Sequence, residues 1–312
     1  MHKIIVYGSL AYDRILFYPG RFRDAILPDK LHSINVSFAV PQISENFGGT
    51  AANIAYNLSL LELPVEIRSS VGDDFEPYKK WLLSHKVGLT VNRVSGFKTA
   101  SAYIMTDAED NQITAFYSGA LSSTMPHQYY SVAGKPLIVV APGNVKDMLG
   151  FVKISKKNKL AYIFDPGQQV PAFSAKQLQS SISQCVALIG NDYEINLVAH
   201  KIGVSERTLQ TMVPILIKTL GPKGSELWQN GKRIRIPAAK VKQVIDPTGA
   251  GDTYRAGLIY GMMNNQPLEK CARIASVVAA YTVELHGTQT HNFTLKSLAQ
   301  RYQRSFGESM LK

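Results

Sequence analysis

The stretch that most constrains this chain is Asp246-Pro247-Thr248-Gly249-Ala250-Gly251-Asp252, continued by Thr253, Tyr254, Arg255, Ala256 and Gly257. It follows an apolar, β-branched run around Val241, Val244 and Ile245 and leads into helical spacing from Tyr254 through Leu258 and Ile259 to Met262. That pattern predicts a strand, a glycine turn and a helix start. Gly249 and Gly251 let backbone amides turn inward and approach a ligand with no Cβ in the way. Amides at a helix N-terminus carry the positive end of the helix dipole, so the turn suits an anion. Asp252 stands in that first turn. Read alone, its carboxylate either caps the helix or takes a proton from a hydroxyl while the amides hold the developing negative charge.

The rest of the chain supplies a setting for such a turn. With 312 residues, 45% hydrophobic and 18% charged, it can bury a large core as one big α/β domain or two smaller ones. No run of eighteen apolar residues occurs, so no membrane-spanning helix is expected. The first residues enter a strand at once and lack signal-peptide form. Cys185 and Cys271 make neither a disulfide framework nor metal-ligand spacing, and a reducing cytoplasm is the expected setting. The net charge of +11 raises a nucleic-acid role, but the basic residues are dispersed. Their densest cluster, Lys153, Lys156, Lys157 and Lys159, has the form of a solvated helix end with no recognition motif beside it. Neither nucleic acid nor membrane is expected as a partner.

Strand and helix patterns alternate along most of the chain. Strands are predicted at 4–7, 65–71, 137–140, 162–164, 186–189, 215–220 and 226–228. Helices are predicted at 51–61, 75–85, near 145–155, from about 193, and at roughly 251–264, 268–285 and 294–304. Such alternation indicates a parallel sheet with helices on both faces. Two patches differ. Residues 12–47 alternate in short aromatic stretches, Ile15 to Phe17 and Ile34 to Phe38, broken by Pro19, Gly20, Pro28 and Pro41. Residues 100–105 and 112–117 flank a turn at 107–111. Together they predict antiparallel strands outside the main sheet, a small β lid over about 12–47 and 97–119 within one domain spanning 1–312. In such sheets ligands bind beyond the carboxyl ends of the strands. The turns at Gly8, Gly48-Gly49 and Gly249–Gly251 should therefore converge.

The signature is neither a Walker A loop nor a Rossmann fingerprint, since Tyr254 stands where the third glycine would be. It closely resembles the signature of the ribokinase-like kinases, the phosphofructokinase-B family. These transfer phosphate from ATP to a hydroxymethyl group of sugars or nucleosides. The resemblance implies a three-layer ribokinase-like fold with a β lid, Asp252 as the base, and Gly249, Ala250 and Gly251 as the anion hole. Departures are Pro247, where many relatives carry another small residue, and Tyr254-Arg255 in place of Phe and an apolar residue.

Weaker motifs follow in the family's order. Gly48-Gly49 with Asn53 resembles its substrate motif, implying contacts to sugar hydroxyls; read alone, Asn53 is an internally satisfied polar residue in an apolar helix. After the first strand, Ser9 and Asp13 occupy the family's place for hydroxyl recognition, and a carboxylate suits a vicinal diol. Ala11 stands where ribokinases proper carry asparagine. Asn191 with Glu194 reads alone as a capped helix start; the resemblance implies a nucleotide contact at Asn191 and Mg²⁺ held through water by Glu194, and Mg²⁺ needs few direct protein ligands. Thr219, Gly221 and Gly224 form a tight hairpin by pattern and line the ATP site by resemblance. Asp165 either faces the phosphates or caps its strand. The resemblance also puts a monovalent cation such as K⁺ near Asp246 and Thr248.

The expected activity is ATP-dependent phosphorylation of a primary hydroxyl, with the lid excluding water. Asp165-Pro166-Gly167, the signature and Gly287-Thr288-Gln289 together resemble a bacterial adenosine-kinase-like subgroup. Phe17, Phe38, Phe47, Phe116 and Tyr117 could stack on a purine, although aromatic residues in small β layers are mostly core. Adenosine to AMP is thus the favoured reaction, with ribose or fructose as alternative acceptors. A non-catalytic nucleotide sensor on the same fold is the alternative from another class. The protein could be a monomer, or a homodimer joined through an uncovered lid edge.

Overall fold

The computed structural model describes residues 3–26, 35–109 and 111–310. Its strands are β1 Ile4–Tyr7, β2 Ala11–Phe17, β3 Gln42–Gly48, β4 Val65–Val71, β5 Gly88–Arg93, β6 Ala100–Thr106 and β7 Gln112–Tyr117. They continue as β8 Leu137–Val140, β9 Tyr162–Phe164, β10 Ala187–Asn191, β11 Ile215–Thr219, β12 Ser225–Gln229 and β13 Lys232–Ile236. The helices are α1 Phe22–Ala25, α2 Thr50–Leu60, α3 Glu76–Ser84, α4 Val145–Lys157, α5 Ala175–Ile182, α6 Asp192–Ile202, α7 Glu206–Met212, α8 Ala250–Met263, α9 Leu268–Thr282 and α10 Leu295–Phe306.

A nine-stranded sheet runs β13-β12-β11-β10-β9-β8-β1-β4-β5. It is parallel from β11 to β5, and β12 and β13 add an antiparallel edge. The central strands are continuous apolar runs because both faces are covered. Along β1, side chains alternate between two cores. Ile4 and Val6 join a cluster with residues of α2, α8 and α9, such as Ile54, Leu258 and Ile274. Ile5 and Tyr7 join one with residues of α4, α5 and α6, such as Phe151, Leu178 and Val198. This is a three-layer α/β arrangement.

Chain order reverses at β1, whose neighbours are β4 on one side and β8 on the other. The reversal opens a crevice beyond the carboxyl ends of β1 and β8, the usual ligand position in open α/β sheets. Two helices crowd it. Helix α2 is buried along Ala51–Leu58. Helix α8 lies close against α9 because Gly257 and Gly261 carry no side chain; a Cβ there would stand 2.6 Å from Ala275 Cα and 2.7 Å from Cys271 Cα.

The second sheet has four strands in the order β3-β2-β6-β7. The β2–β3 and β6–β7 pairs are antiparallel, but β2–β6 is parallel, so the expected all-antiparallel layer is corrected at its centre. The expected strand at 34–38 is also corrected. Ile34 and Pro28 lie outside the described residues, residues 35–40 are not in a strand, and the partner of β2 is Gln42–Gly48. Phe38 instead packs edge-on against Tyr18 and Phe22, at ring-centroid distances of 4.9 and 5.4 Å. A third correction concerns the approach to the signature. Residues 240–246 form no strand, and Val244 is 58% exposed. The sheet ends at β13, and the β-branched residues after it line a cavity.

Candidate active site

The signature folds as a left-handed turn and a helix start. Gly249 has φ +75° and caps α8, and Ala250 is its first residue. Asp246 braces this turn, with Oδ1 accepting the amide of Thr248 at 2.9 Å and Oδ2 accepting the amide of Gly287 at 3.0 Å. Both carboxylate oxygens are thus engaged with backbone, and a monovalent cation at Asp246 would have to share them.

Asp252 projects from the first turn of α8 toward α2. Asn53 Nδ2 donates to its Oδ2 at 2.8 Å. Asn53 Oδ1 in turn accepts from Gln289 Nε2 at 3.0 Å, and Asn53 is 4% exposed. The asparagine therefore orients Asp252, with one N–H and its carbonyl oxygen engaged internally. Burial drives the Asp252 pKa up to about 7, against the opposing pull of the Arg255 charge and the Asn53 hydrogen bond. That value suits a general base near neutral pH.

Asp13, on β2, faces the same place. Gly48 makes room for it: a Cβ at Gly48 would lie 2.1 Å from Asp13 Oδ2. Gly49, with φ +94°, caps α2 and passes so close to β2 that a Cβ would stand 2.6 Å from the Ser9 carbonyl oxygen. Ser9 is used structurally, its hydroxyl oxygen accepting the Thr50 amide at 3.0 Å. Burial, and then the charge of Asp246, raise the Asp13 pKa to about 6.

On the other side of Asp252 opens a cavity of about 760 Å³. Its lining combines polar and charged residues, among them Asp165, Asn191, Glu194, Asp252 and Arg255, with apolar ones, among them Val241, Val244, Ala279, Ala280 and Val283. Thr219, Gly221 and Gly224 also line it. They belong to the β11–β12 hairpin, closed by the Leu220 amide donating to the Gly224 carbonyl at 2.8 Å. Asn191 and Glu194 make a capping box: the Glu194 amide donates to Asn191 Oδ1, and the Asn191 amide to Glu194 Oε2, both at 2.8 Å. The helix-start reading and the cavity-lining position therefore hold together.

A hydrated magnesium ion fits this donor set. Among the described residues no group of three His, Cys, Asp or Glu side chains surrounds one point. Glu194 nevertheless lines the cavity with one oxygen free of its cap, and its pKa is raised by burial and then by the Asp165 charge. A cation nearby would relieve that crowding, and Mg²⁺ keeps most of its waters.

Asp165 neither faces the cavity freely nor merely caps β9. It is fully buried and paired with Arg255: Nη2 donates to Oδ1 at 2.9 Å, and Nε touches Oδ2 as an ion pair. The pair joins residues 90 positions apart, and spacing gave no sign of it. Behind the signature a buried polar chain was equally hidden. Asn57 Nδ2 donates to Thr253 Oγ1 at 3.2 Å, Thr253 Oγ1 meets Thr282 Oγ1 at 2.7 Å, and His291 Nε2 meets Asn57 Oδ1 at 2.7 Å.

The lid aromatics separate by face. Asp13 pairs with Ala102, and Ala102 with Phe116, so Phe116 stands in the Asp13 row on the same face. It is 52% exposed. Phe17 shares that face, four residues along β2 from Asp13. Tyr117 points to the opposite face. Phe47 stacks on Tyr78 at 4.3 Å and belongs to the core.

Residues 1–294 match the model of the pfkB family carbohydrate kinases. The chain is 32% identical over 300 residues to a nucleoside kinase of Methanothermobacter thermautotrophicus, covering 92% of this chain and 91% of that one. It is 31% identical to a nucleoside kinase of Methanocaldococcus jannaschii, covering 97% and 98%. Its structure superposes on the Burkholderia thailandensis nucleoside kinase in complex with inosine with a TM-score of 0.86 and 34% identity, covering 98% of this chain and 99% of that one. Likeness to an adenosine kinase of Sinorhizobium meliloti, at 19% identity and a TM-score of 0.76 over 97% and 99% of the chains, shows the fold alone. On the strength of these matches the chain belongs to the pfkB family of carbohydrate kinases, with a ribokinase-like fold, and is a phosphotransferase acting on an alcohol acceptor.

Proposed function

We propose that this chain is an ATP-dependent nucleoside kinase that phosphorylates the 5′-hydroxyl of a purine ribonucleoside, with adenosine to AMP as the reaction to test first. The observation that carries the reading is that Asp252 lines the large cavity and also lies within reach of the Asp13 charge. A diol held at Asp13 brings its primary hydroxyl toward Asp252, while a triphosphate in the cavity points its end at the amides of Gly249, Ala250 and Gly251. The hydroxyl oxygen attacks the γ-phosphorus in line, its proton passes to Asp252, and the bond to ADP breaks. Asn53 fixes the direction in which Asp252 presents its free oxygen. Magnesium, when bound, neutralises phosphate charge; Glu194 is the residue that would hold it through water. Val241, Val244 and Ala279 give the adenine of ATP an apolar seat.

The small sheet acts as a lid over the acceptor. Phe116, on the Asp13 face, offers a platform for a base, which a free sugar cannot use. The names of the relatives support a nucleoside, and inosine in the Burkholderia complex supports a purine. The test is an ATP-consumption screen with Mg²⁺ over adenosine, inosine, cytidine, ribose and fructose. The reading requires that a purine nucleoside gives the highest kcat/KM.

A further inference from the structure

We propose that Arg255 is a catalytic residue of this site, a guanidinium clamped by Asp165 that gives its remaining edge to the transferring phosphoryl group, a role that rests on the phosphoryl-transfer reading above.

The geometry begins with α8. Arg255 lies four residues after Gly251 and three after Asp252, so all three share one face of the helix. Its Nε and Nη2 face Asp165 on β9's end. Its Nη1, in the same plane but on the edge away from Nε, lies beside the first turn of α8: a Cβ on Gly251 would stand 2.9 Å from it. Among the described residues no protein acceptor takes a hydrogen bond from Nη1, although the side chain is more than nine-tenths buried. The arginine nevertheless lines the cavity, with Asp165, Asn191, Glu194 and Asp252. A buried cation with one edge fixed and the other turned to a cavity has the form of a preorganised anion donor.

Charge points the same way. Asp165, Glu194 and Asp252 all act on Arg255. A polyphosphate entering beside three carboxylates needs a fixed positive charge, and the helix dipole alone is partial. A purely structural role would not call for this arrangement, since a buried ion pair seldom stabilises a fold more than an apolar pair of similar size. Gly251 then has a second use: it clears the space in which Nη1 sits.

Three variants test the assignment. In Arg255→Met, kcat should fall by about 10²–10⁴-fold, the scale of losing a transition-state charge donor, with the nucleoside KM within about threefold. Affinity for β,γ-imido-ATP should weaken by about tenfold or more while affinity for ADP changes little, because the contact is to the terminal phosphoryl. In Arg255→Ala, millimolar guanidinium chloride should restore part of the lost rate. Arg255→Met leaves Asp165 unpaired and could fail to fold, so it is paired with Asp165→Leu, which replaces the ion pair by apolar side chains. The double variant should regain thermal stability and keep the kinetic and binding defects. A stable double variant with kcat within threefold of the parent, or with ATP-analogue and ADP affinities reduced equally, overturns the proposal. The binding comparison needs no acceptor, so it stands even if no nucleoside proves to be a substrate.

Discussion

Asn53 donates from Nδ2 to Oδ2 of Asp252 at 2.8 Å, a bond between α2 and α8 that spans 199 positions of sequence. It links the helix that starts at the Gly48-Gly49 pair to the helix that starts at the Gly249–Gly251 turn. Because Asn53 is itself held by Gln289, the carboxylate has one orientation. Replacing Asn53 by Ala should lower kcat by about 10–100-fold, within the range for positioning a general base. It also removes a hydrogen bond to the charged form, so the Asp252 pKa rises further. The acid limb of kcat/KM should move to higher pH, which a pH–rate profile reads directly.

Asp252 itself should set the acid limb of the unmodified enzyme. Its carboxylate must be ionised to accept a proton, and its pKa is raised to about 7. Activity should therefore fall about tenfold per pH unit once the pH is well below 7. Asp252→Asn should cut turnover by about a hundredfold or more at pH 8 and flatten the acid limb, so that the difference from the parent narrows as the pH falls.

The same residue bears on stability with a definite sign. Its folded pKa of about 7 lies above the ordinary value of 3.8. Between those values the folded chain holds a proton that the unfolded chain releases, so this carboxylate destabilises the fold as pH rises from about 4 to about 7. Asp252→Asn removes that penalty and can still accept from Asn53. It should raise Tm by a few degrees at pH 8 and by less at pH 5. Calorimetry at the two pH values checks it; a lower Tm at pH 8 contradicts it.

Asp13 should act on the acceptor rather than on ATP. Asp13→Ala should reduce kcat/KM for a ribonucleoside by about 10–1000-fold, from loss of hydrogen bonds to a charged acceptor, and leave ATP affinity near its starting value. A 2′-deoxynucleoside should be poor with the unmodified enzyme, and the Asp13→Ala variant should discriminate less between the two.

How much of this was legible before the structure varies with distance along the chain. The glycine turn and helix start at 249–252 were legible because Gly249, Gly251 and Asp252 are close in sequence and each has a local physical reason to be there. The helices α2, α8 and α9 were legible from periodicity. The strand expected at Val241–Ile245 was not a strand, because β-branched residues serve a cavity wall as well as a sheet. Strand β3 fell at Gln42–Gly48, where polar residues alternate on an exposed edge and carry little apolar signal. Asn53, which reads from its own residues as an internally satisfied polar residue and by resemblance as a sugar contact, bonds Asp252 and Gln289, neither of which its sequence neighbourhood indicates. The Arg255–Asp165 pair, the Gln289 contact and the Asn57–Thr253–Thr282–His291 chain depend on long-range packing that no single-sequence pattern encodes.

The sheet register sharpens the choice among aromatic residues. Phe116 shares the Asp13 face and Tyr117 does not. Phe116→Ala should erode the preference for a nucleoside over free ribose by about 1–3 kcal/mol, the worth of base stacking in nucleic-acid sites. Tyr117→Ala should leave that preference unchanged. Equal effects of the two would place the base elsewhere.

The central claim is that this site transfers phosphate from ATP to the 5′-hydroxyl of a purine nucleoside. The most direct measurement is kcat/KM for adenosine, inosine and ribose with ATP and Mg²⁺, with the product identified by phosphorus NMR. The prediction is a 5′-monophosphate of adenosine or inosine, formed with kcat/KM at least about tenfold above that for ribose, and formed at least about a hundredfold more slowly by Asp252→Asn at pH 8. Efficient phosphorylation of ribose or fructose with neither purine nucleoside consumed would contradict it.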